Sequence, residues 1–131
     1  MLQKISVLLL VGVLLASCAA FPGLGGAAGY EMISVGDLQG LMETEDITLI
    51  NVHIPLEGNI TGTDLMIPFD EVESYLDLLP ENKDEQIILY CRSGSMGDTA
   101  SETLVELGYT DVSNLEGGYN AWKANGLPFE E

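Results

Sequence analysis

Short apolar runs alternate with amphipathic stretches over residues 30–131, and this alternation predicts the secondary structure. Runs rich in β-branched and aromatic residues predict strands at residues 30–33, 47–52, 65–67, 86–90 and 110–115. Apolar residues at helical spacing predict helices at residues 34–42, 70–79, 98–107 and 119–125. Strands that alternate with helices in this way favour an α/β fold, with a central, mostly parallel five-stranded sheet and helices on both faces.

The ends of several predicted elements carry residues that are typical of those positions. Ser34, with Asp37 three residues later, is typical of a helix N-terminus, and Gly108 is typical of a helix end. Residues 54–64 contain Pro55 and two glycines, and they predict a loop rather than a helix or strand. The same alternation of strands and helices continues through residues 30–131, so we expect this segment to form one domain.

The first 29 residues differ in composition from the rest of the chain. Lys4 precedes an apolar run at residues 5–15, which is too short to cross a bilayer as a helix and is typical of a signal peptide. Leu15-Ala16-Ser17-Cys18 follows and resembles a bacterial lipobox, in which the cysteine is acylated; an ordinary secretory signal is the alternative. We expect a lipoprotein signal peptide at 1–17, a Gly/Ala-rich tether at 18–29 and one domain at 30–131.

The chain is strongly acidic, with a formal net charge of −17 from 4 Lys or Arg and 21 Asp or Glu residues. Such a charge opposes binding to nucleic acid and to anionic lipid headgroups. We therefore expect no nucleic-acid partner, and membrane attachment through acyl chains on Cys18 instead. The expected location is the periplasmic or extracellular face of the cell membrane.

The two cysteines, Cys18 and Cys91, have different expected fates. If Cys18 carries lipid, Cys91 has no intrachain disulfide partner in a compartment where disulfides form. It is then either buried and inert or kept for its reactivity. Cys91 follows the predicted strand at 86–90, and ligands in α/β folds bind at the carboxyl ends of parallel strands. A helix comes next, and thiols near helix N-termini ionise more readily to the nucleophilic thiolate.

Three stretches make residues 30–131 similar to a rhodanese domain. The family's six-residue active loop resembles Cys91-Arg92-Ser93-Gly94-Ser95-Met96. The family's L-x-G-G-x-x-A-W ending resembles Leu115-Glu116-Gly117-Gly118-Tyr119-Asn120-Ala121-Trp122. Where the family usually has an aspartate–valine–arginine signature, this chain has Leu49-Ile50-Asn51-Val52-His53.

The resemblance implies a sulfurtransferase that needs no cofactor and no metal. In this family the loop cysteine, here Cys91, takes the outer sulfur of a donor such as thiosulfate or a persulfide, and carries it as its own persulfide. A thiol or cyanide then accepts the sulfur, and a partner protein's thiol is a further candidate. The resemblance assigns donor and persulfide binding to Arg92, Ser93, Gly94, Ser95, Met96 and Gly97.

The residue types of the loop suit this chemistry. Gly94 permits a tight curl in which amide groups approach the sulfur, and the serine hydroxyls are able to donate to a persulfide. Arg92 would attract an anionic donor; a structural salt bridge to a carboxylate is an equally weighted alternative. The related phosphatases need an arginine six positions after the cysteine, where this chain has Gly97, so we do not expect phosphatase activity.

Departures from the family pattern leave the substrate open. Asn51 and His53 replace the usual aspartate and arginine, and His53 is either a structural residue or an acid, base or ligand that supports the site. Met96 offers nothing to a sulfonate and Asp98 opposes an incoming anion, so a less charged donor fits better than thiosulfate.

Two other functions compete with the sulfurtransferase. The first is a non-catalytic rhodanese-fold module that carries persulfide or docks a partner protein at the cell envelope. The second is soft-metal binding, because Cys91, Met96 and His53 are suitable ligands for Cu(I), although their spacing is not diagnostic.

Overall fold

A computed structural model describes residues 29–131 of the chain. The predicted signal peptide at 1–17, the expected lipidation site Cys18 and the tether up to residue 28 lie outside the described residues. None of the helices between residues 29 and 131 is long and apolar enough to cross a bilayer.

A parallel sheet of 5 strands forms the centre of the fold, which confirms the predicted architecture. Its strands lie side by side in the order β1 (Glu31–Ile33), β6 (Val112–Leu115), β5 (Ile87–Tyr90), β2 (Thr48–Asn51) and β4 (Leu65–Met66). Every residue of β5 is buried, because this strand lies in the middle of the sheet and both of its faces are covered. Leu89 of β5 pairs with Ile50 of β2 on one side and with Asn114 of β6 on the other.

Helices cover the two faces of the sheet, and they bury alternate residues of β5. Ile87 and Leu89 pack in one apolar cluster with α2 (Ser95–Glu106) and a 3-10 helix (Val72–Leu78). Ile88 and Tyr90 pack in a second cluster with α1 (Val35–Thr44) and α3 (Gly118–Ala124). The alternation follows from the period of two in a strand, which sends successive side chains to opposite faces.

The start of α2 differs from the prediction of a helix at 98–107. The helix begins at Ser95, because the Asp98 N–H donates to the Gly94 carbonyl at 3.0 Å and so closes the first turn three residues earlier. Met96 and Gly97 therefore belong to the first helical turn rather than to a free loop.

Two other predicted elements need correction. The helix predicted at 70–79 is the 3-10 helix, which is broken at Tyr75 and buries only Val72, so packing gives little support to a continuous α-helix. The loop predicted at 54–64 contains a short strand, β3 (Asn59–Ile60), which pairs with β7 (Phe129–Glu130). Neither strand has a sequence signal of its own, since each is only 2 residues long.

Candidate functional site

Cys91 lies immediately after β5, at the carboxyl edge of the central sheet. The residue is a free thiol and is only 2% exposed. The Gly94 N–H donates to its Sγ atom across 2.9 Å. Gly94 has a φ angle of 134°, which strongly favours glycine. One loop amide therefore reaches the sulfur, and the approach of further amide groups stays a prediction.

The other loop residues differ in exposure. Arg92, Ser93 and Ser95 are exposed, whereas Gly94 and Gly97 are buried. Between residues 29 and 131, no hydrogen bond joins the Sγ atom to a serine hydroxyl, so their role toward a persulfide stays a prediction. Half-buried Met96 packs against the apolar cluster on the α2 face.

An inner network of uncharged and charged side chains supports the loop from the side of β6. Asn114 is 0% exposed, and its Nδ2 donates to the Gly94 carbonyl and to Asp98 Oδ1, each at 3.0 Å. The Tyr30 hydroxyl donates to the same Asp98 oxygen at 2.9 Å. Asp98 was expected to oppose an incoming anion, but its Oδ1 atom accepts two hydrogen bonds from the interior. We call Asn114, Asp98 and Tyr30 the inner network.

Gly97 allows the inner network to approach the helix. A Cβ atom at this position would lie 2.1 Å from the Asn114 Oδ1 atom, well inside any normal contact. The resemblance placed Gly97 in the binding loop, but in the fold it makes room for Asn114. Asn114 in turn holds the carbonyl of Gly94, the residue whose N–H donates to the sulfur.

The Gly117-Gly118 turn packs against the backbone of the Cys91 loop. The Tyr119 N–H donates to the Cys91 carbonyl at 2.9 Å, and the Asn120 N–H donates to the Arg92 carbonyl at 3.1 Å. A Cβ atom on Gly118 would lie 2.3 Å from the Cys91 carbonyl oxygen. The second motif of the sequence therefore serves as a support for the first.

An outer cluster lies on the solvent side of the loop and is centred on Glu57. The Tyr119 hydroxyl donates to Glu57 Oε2, His53 Nε2 lies 3.6 Å from the same oxygen, and Arg92 Nη1 lies 3.9 Å from Glu57 Oε1. The bond from Tyr119 lowers the pKa of the Glu57 carboxyl, and the nearby cations contribute less. We call Glu57, Tyr119, His53 and Arg92 the outer cluster. The salt-bridge alternative for Arg92 thus has a partner in the structure.

His53 is a largely buried member of the outer cluster. Its side chain is 9% exposed, and its ring meets the Tyr119 ring edge to face, with centroids 5.6 Å apart. Its Nε2 atom is buried without a hydrogen-bond partner, since 3.6 Å is too long for such a bond. No hydrogen bond joins His53 to Cys91 in the described part of the chain, so its predicted supporting role stays a prediction.

Asn51 anchors the segment that carries His53 and Glu57. It is 1% exposed; its Nδ2 donates to the Gly58 carbonyl at 2.9 Å and to Asn59 Oδ1 at 3.0 Å, while its Oδ1 accepts from the His53 N–H at 2.9 Å. An amide suits this position because it donates and accepts at once. A carboxylate in its place would face two acceptor oxygens.

Four residues of the site were missed by the sequence reasoning: Asn114, Tyr30, Tyr119 and Glu57. Tyr119 lies inside a recognised motif, and that motif was the available signal. In residues 29–131, no group of three His, Cys, Asp or Glu side chains is arranged to hold a metal ion. The Cu(I) alternative includes the thioether of Met96, which is outside this group of ligands, so it stays a prediction.

Comparisons with known proteins agree on one family. Residues 34–125 match the family model described as a rhodanese-like domain. A sulfurtransferase from Allochromatium vinosum is 37% identical over 93 residues, which cover 69% of this chain and 84% of the relative. The human thiosulfate:glutathione sulfurtransferase is 30% identical over 110 residues, covering 72% and 95%. A rhodanese-related protein from Thermoplasma volcanium has a similar structure, with a TM-score of 0.65 at 27% identity, covering 76% and 97%.

Proposed function

The chain belongs to the rhodanese-like domain family, and from this we propose that it is a sulfurtransferase in which Cys91 carries the sulfur. The observation that supports this most is the contact of 2.9 Å between the Gly94 N–H and the Cys91 Sγ atom. An amide that donates to the Sγ atom stabilises a negative charge there, which Cys91 carries as the attacking thiolate and again as the leaving thiolate. Relatives named as sulfurtransferases support the same reaction class.

The proposed reaction has two displacement steps at sulfur. In the first, the Cys91 thiolate attacks the outer sulfur of a donor, the bond between the donor's two sulfurs breaks, and the leaving group takes the electron pair. Thiosulfate would leave as sulfite, and a persulfide would leave as a thiolate. In the second step, a thiolate or cyanide attacks the outer sulfur of the Cys91 persulfide and regenerates the Cys91 thiolate. No external oxidant or reductant is needed.

The chain's own residues hold and orient the sulfur in this scheme. The Gly94 amide stabilises the anionic sulfur, and the inner network holds the Gly94 carbonyl on the other side of the same residue. Arg92, Ser93 and Ser95 are exposed, and we expect the donor and acceptor to meet the loop there. We propose that the donor is thiosulfate, a persulfide or the thiol 3-mercaptopyruvate, whose carbon–sulfur bond would break so that the enolate of pyruvate leaves with the electron pair, and that a thiol or cyanide is the acceptor.

A module that carries persulfide, or docks a partner protein, without useful turnover is the second candidate. The near-complete burial of Cys91 supports it, because a bulky acceptor would reach the sulfur with difficulty. Slow release of a stable persulfide would distinguish this module from an enzyme.

Mass spectrometry of the Cys91 peptide tests the proposal directly. The 131-residue chain is reduced, shown to be folded by circular dichroism, and offered thiosulfate, glutathione persulfide or 3-mercaptopyruvate. We expect the Cys91 peptide to gain the mass of one sulfur atom and to lose it when a thiol acceptor is added. The Cys91→Ser variant should show no adduct and no turnover. A folded, reduced protein that gains no sulfur from any of the three donors would rule the proposal out.

We also propose that the chain is exported and anchored to the membrane through acyl chains on Cys18. The apolar run at 5–15 and the lipobox-like sequence before Cys18 support this. In cells fed a labelled fatty acid, the wild-type chain should take up the label and sediment with membranes, whereas Cys18→Ser should do neither. Equal labelling of the two would contradict an anchor at this residue.

A further inference from the structure

Glu57 is held in a fixed position beside the Cys91 loop. Exposed ion pairs are usually weak because both side chains move freely, and here Glu57 and Arg92 are 43% and 57% exposed. The Glu57 carboxylate, however, accepts a hydrogen bond from the Tyr119 hydroxyl. Tyr119 is only 3% exposed, and its backbone N–H donates to the Cys91 carbonyl. The carboxylate is therefore anchored to the same backbone that carries the thiol.

This anchored carboxylate lies against the one cation near the thiol. Between residues 29 and 131 the cationic residues are Lys83, Arg92 and Lys123. Lys83 donates to the Leu107 carbonyl and Lys123 pairs with Glu131 at 3.5 Å, so each has its own partner. Arg92 faces Glu57 at 3.9 Å. In the described part of the chain, no cation remains to balance a second negative charge on a donor.

We propose that Glu57 sets the charge preference of the Cys91 site: by holding Arg92, it makes the site favour sulfur donors with at most one negative charge over dianionic thiosulfate. The inference rests on the proposed function, because it concerns the donor of that reaction. It assigns the donor to organic persulfides, thiosulfonates and similar compounds. Glu57 acts through Arg92, so it is a specificity-determining residue and takes no part in bond making.

Two donors that differ by one charge isolate this effect. Methanethiosulfonate carries the same outer sulfur as thiosulfate, but a methyl group replaces one anionic oxygen. With either donor, the Cys91 thiolate takes the outer sulfur and the sulfur–sulfur bond of the donor breaks; sulfite leaves in one case and methanesulfinate in the other. The ratio of the two rates of persulfide formation, thiosulfate over methanethiosulfonate, therefore reports the charge preference.

The Glu57→Gln variant keeps an acceptor for the Tyr119 hydroxyl and removes the charge. We expect it to raise this ratio by roughly threefold to tenfold, the effect of one charge at short range in a largely aqueous site. Glu106→Gln is the matched control, because it removes the same charge from an exposed position at the far end of α2. It should leave the ratio unchanged. An unchanged ratio in Glu57→Gln, or an equal rise in Glu106→Gln, overturns the inference.

Arg92 tests whether the effect passes through the ion pair. In an Arg92→Gln background, adding Glu57→Gln should change the ratio by less than about twofold, because there is no cation left to release. An increase as large as in the wild-type background would show that Glu57 acts on donors directly, and would overturn the role given to Arg92.

Alkylation of Cys91 separates a failure of this inference from a failure of the proposed function. Iodoacetate and iodoacetamide react with a thiolate at the same carbon and release iodide, but only iodoacetate is charged. Their rate ratio is read on the Cys91 peptide by mass spectrometry. Suppose that no donor transfers sulfur, yet Glu57→Gln raises the ratio of the iodoacetate rate to the iodoacetamide rate. The proposed function then fails and the charge preference stands. If sulfur is transferred and neither ratio changes, the charge preference fails and the proposed function stands.

Discussion

The inner network and the outer cluster flank the same loop but differ in burial and in the kind of contact they make. In the inner network, Asn114 is fully buried and the three hydrogen bonds are 2.9 to 3.0 Å long. In the outer cluster, Glu57 lies 3.6 Å from the His53 ring and 3.9 Å from the Arg92 guanidinium, and Glu57 and Arg92 are about half exposed. Short buried hydrogen bonds fix a geometry, whereas exposed charges act over distance and are screened by salt.

Because of this difference we expect the two regions to have different roles, which substitutions in each region should reveal. The inner network holds the carbonyl of Gly94, the residue whose N–H contacts the Cys91 sulfur, and this sulfur is common to every donor. The outer cluster determines the charge that a donor meets as it approaches. Changes in the inner network should therefore affect all donors by the same factor, and changes in the outer cluster should affect donors according to charge.

The largest effect is expected from Gly97→Ala in the inner network. The new methyl group would lie 2.1 Å from Asn114 Oδ1, so Asn114 or the first turn of α2 must move. Overpacking of a buried site costs about 1–3 kcal/mol of the free energy of unfolding. We also expect slower persulfide formation at Cys91, by a common factor for thiosulfate and methanethiosulfonate. Urea unfolding and the two rates measure these effects.

Gly40→Ala is the control for this prediction. Gly40 lies inside α1, and a Cβ atom there would meet nothing within 4 Å. The change should leave both rates unaltered and stabilise the fold by roughly 0.5–1 kcal/mol, as expected for glycine to alanine in a helix. If Gly97→Ala shifted the ratio of the two rates instead of lowering both, the assignment of this side of the loop to geometry alone would be wrong.

The Cys91 loop and the two regions that flank it differ in how far the sequence predicted them. The buried strand, the turn at Gly94 and the following helix come from consecutive residues, so a local pattern was enough to place Cys91 at the carboxyl edge of the sheet. The exact start of α2 depends on the hydrogen bond from the Asp98 N–H to the Gly94 carbonyl, which no composition rule specifies.

The side chains that support the loop could not be predicted in the same way. Asn114 is a polar residue inside a four-residue strand, and its inward orientation follows from the sheet register and from the space above Gly97. Glu57 lies in a segment without periodicity, and it is placed near Arg92 by the Asn51 hydrogen bonds to Gly58 and Asn59 together with the Tyr119 bond to its carboxylate. Contacts between residues far apart in the chain leave no mark in a single sequence.

One tyrosine in each region offers a further test of the comparison between the inner network and the outer cluster, with a smaller expected effect than Gly97→Ala. Tyr30 donates to Asp98 in the inner network and Tyr119 donates to Glu57 in the outer cluster. Replacing either by phenylalanine removes one hydroxyl and one hydrogen bond, at a cost of about 0.5–1.5 kcal/mol at neutral pH. Tyr30→Phe should leave the donor ratio unchanged. Tyr119→Phe should raise it toward the Glu57→Gln value, because the carboxylate loses its anchor.

The same pair predicts how stability changes at high pH. The pKa of Tyr30 is raised from 10.0 to about 12, mainly because of burial and also because its hydroxyl bonds a carboxylate. The pKa of Tyr119 is raised to about 12 for the same two reasons. The folded protein thus holds these protons more tightly than the unfolded chain, so the stabilisation is complete below pH 10 and is lost as the pH rises through 12. Burial raises the pKa of Tyr90 and Tyr109 as well. These two tyrosines make the stability of every variant depend on pH, so the loss in each variant is compared with the loss in the wild type.

Each phenylalanine variant should lose less of its free energy of unfolding than the wild type between pH 10 and 12, as measured by urea unfolding across that range. The two variants should behave alike in this measurement, because each of the missing hydroxyls was shifted by burial and by a bond to a carboxylate. The donor ratio should distinguish them. If Tyr30→Phe shifted that ratio as much as Tyr119→Phe, the carboxylates of both regions would act on the donor, and the division between geometry inside and charge outside would not hold.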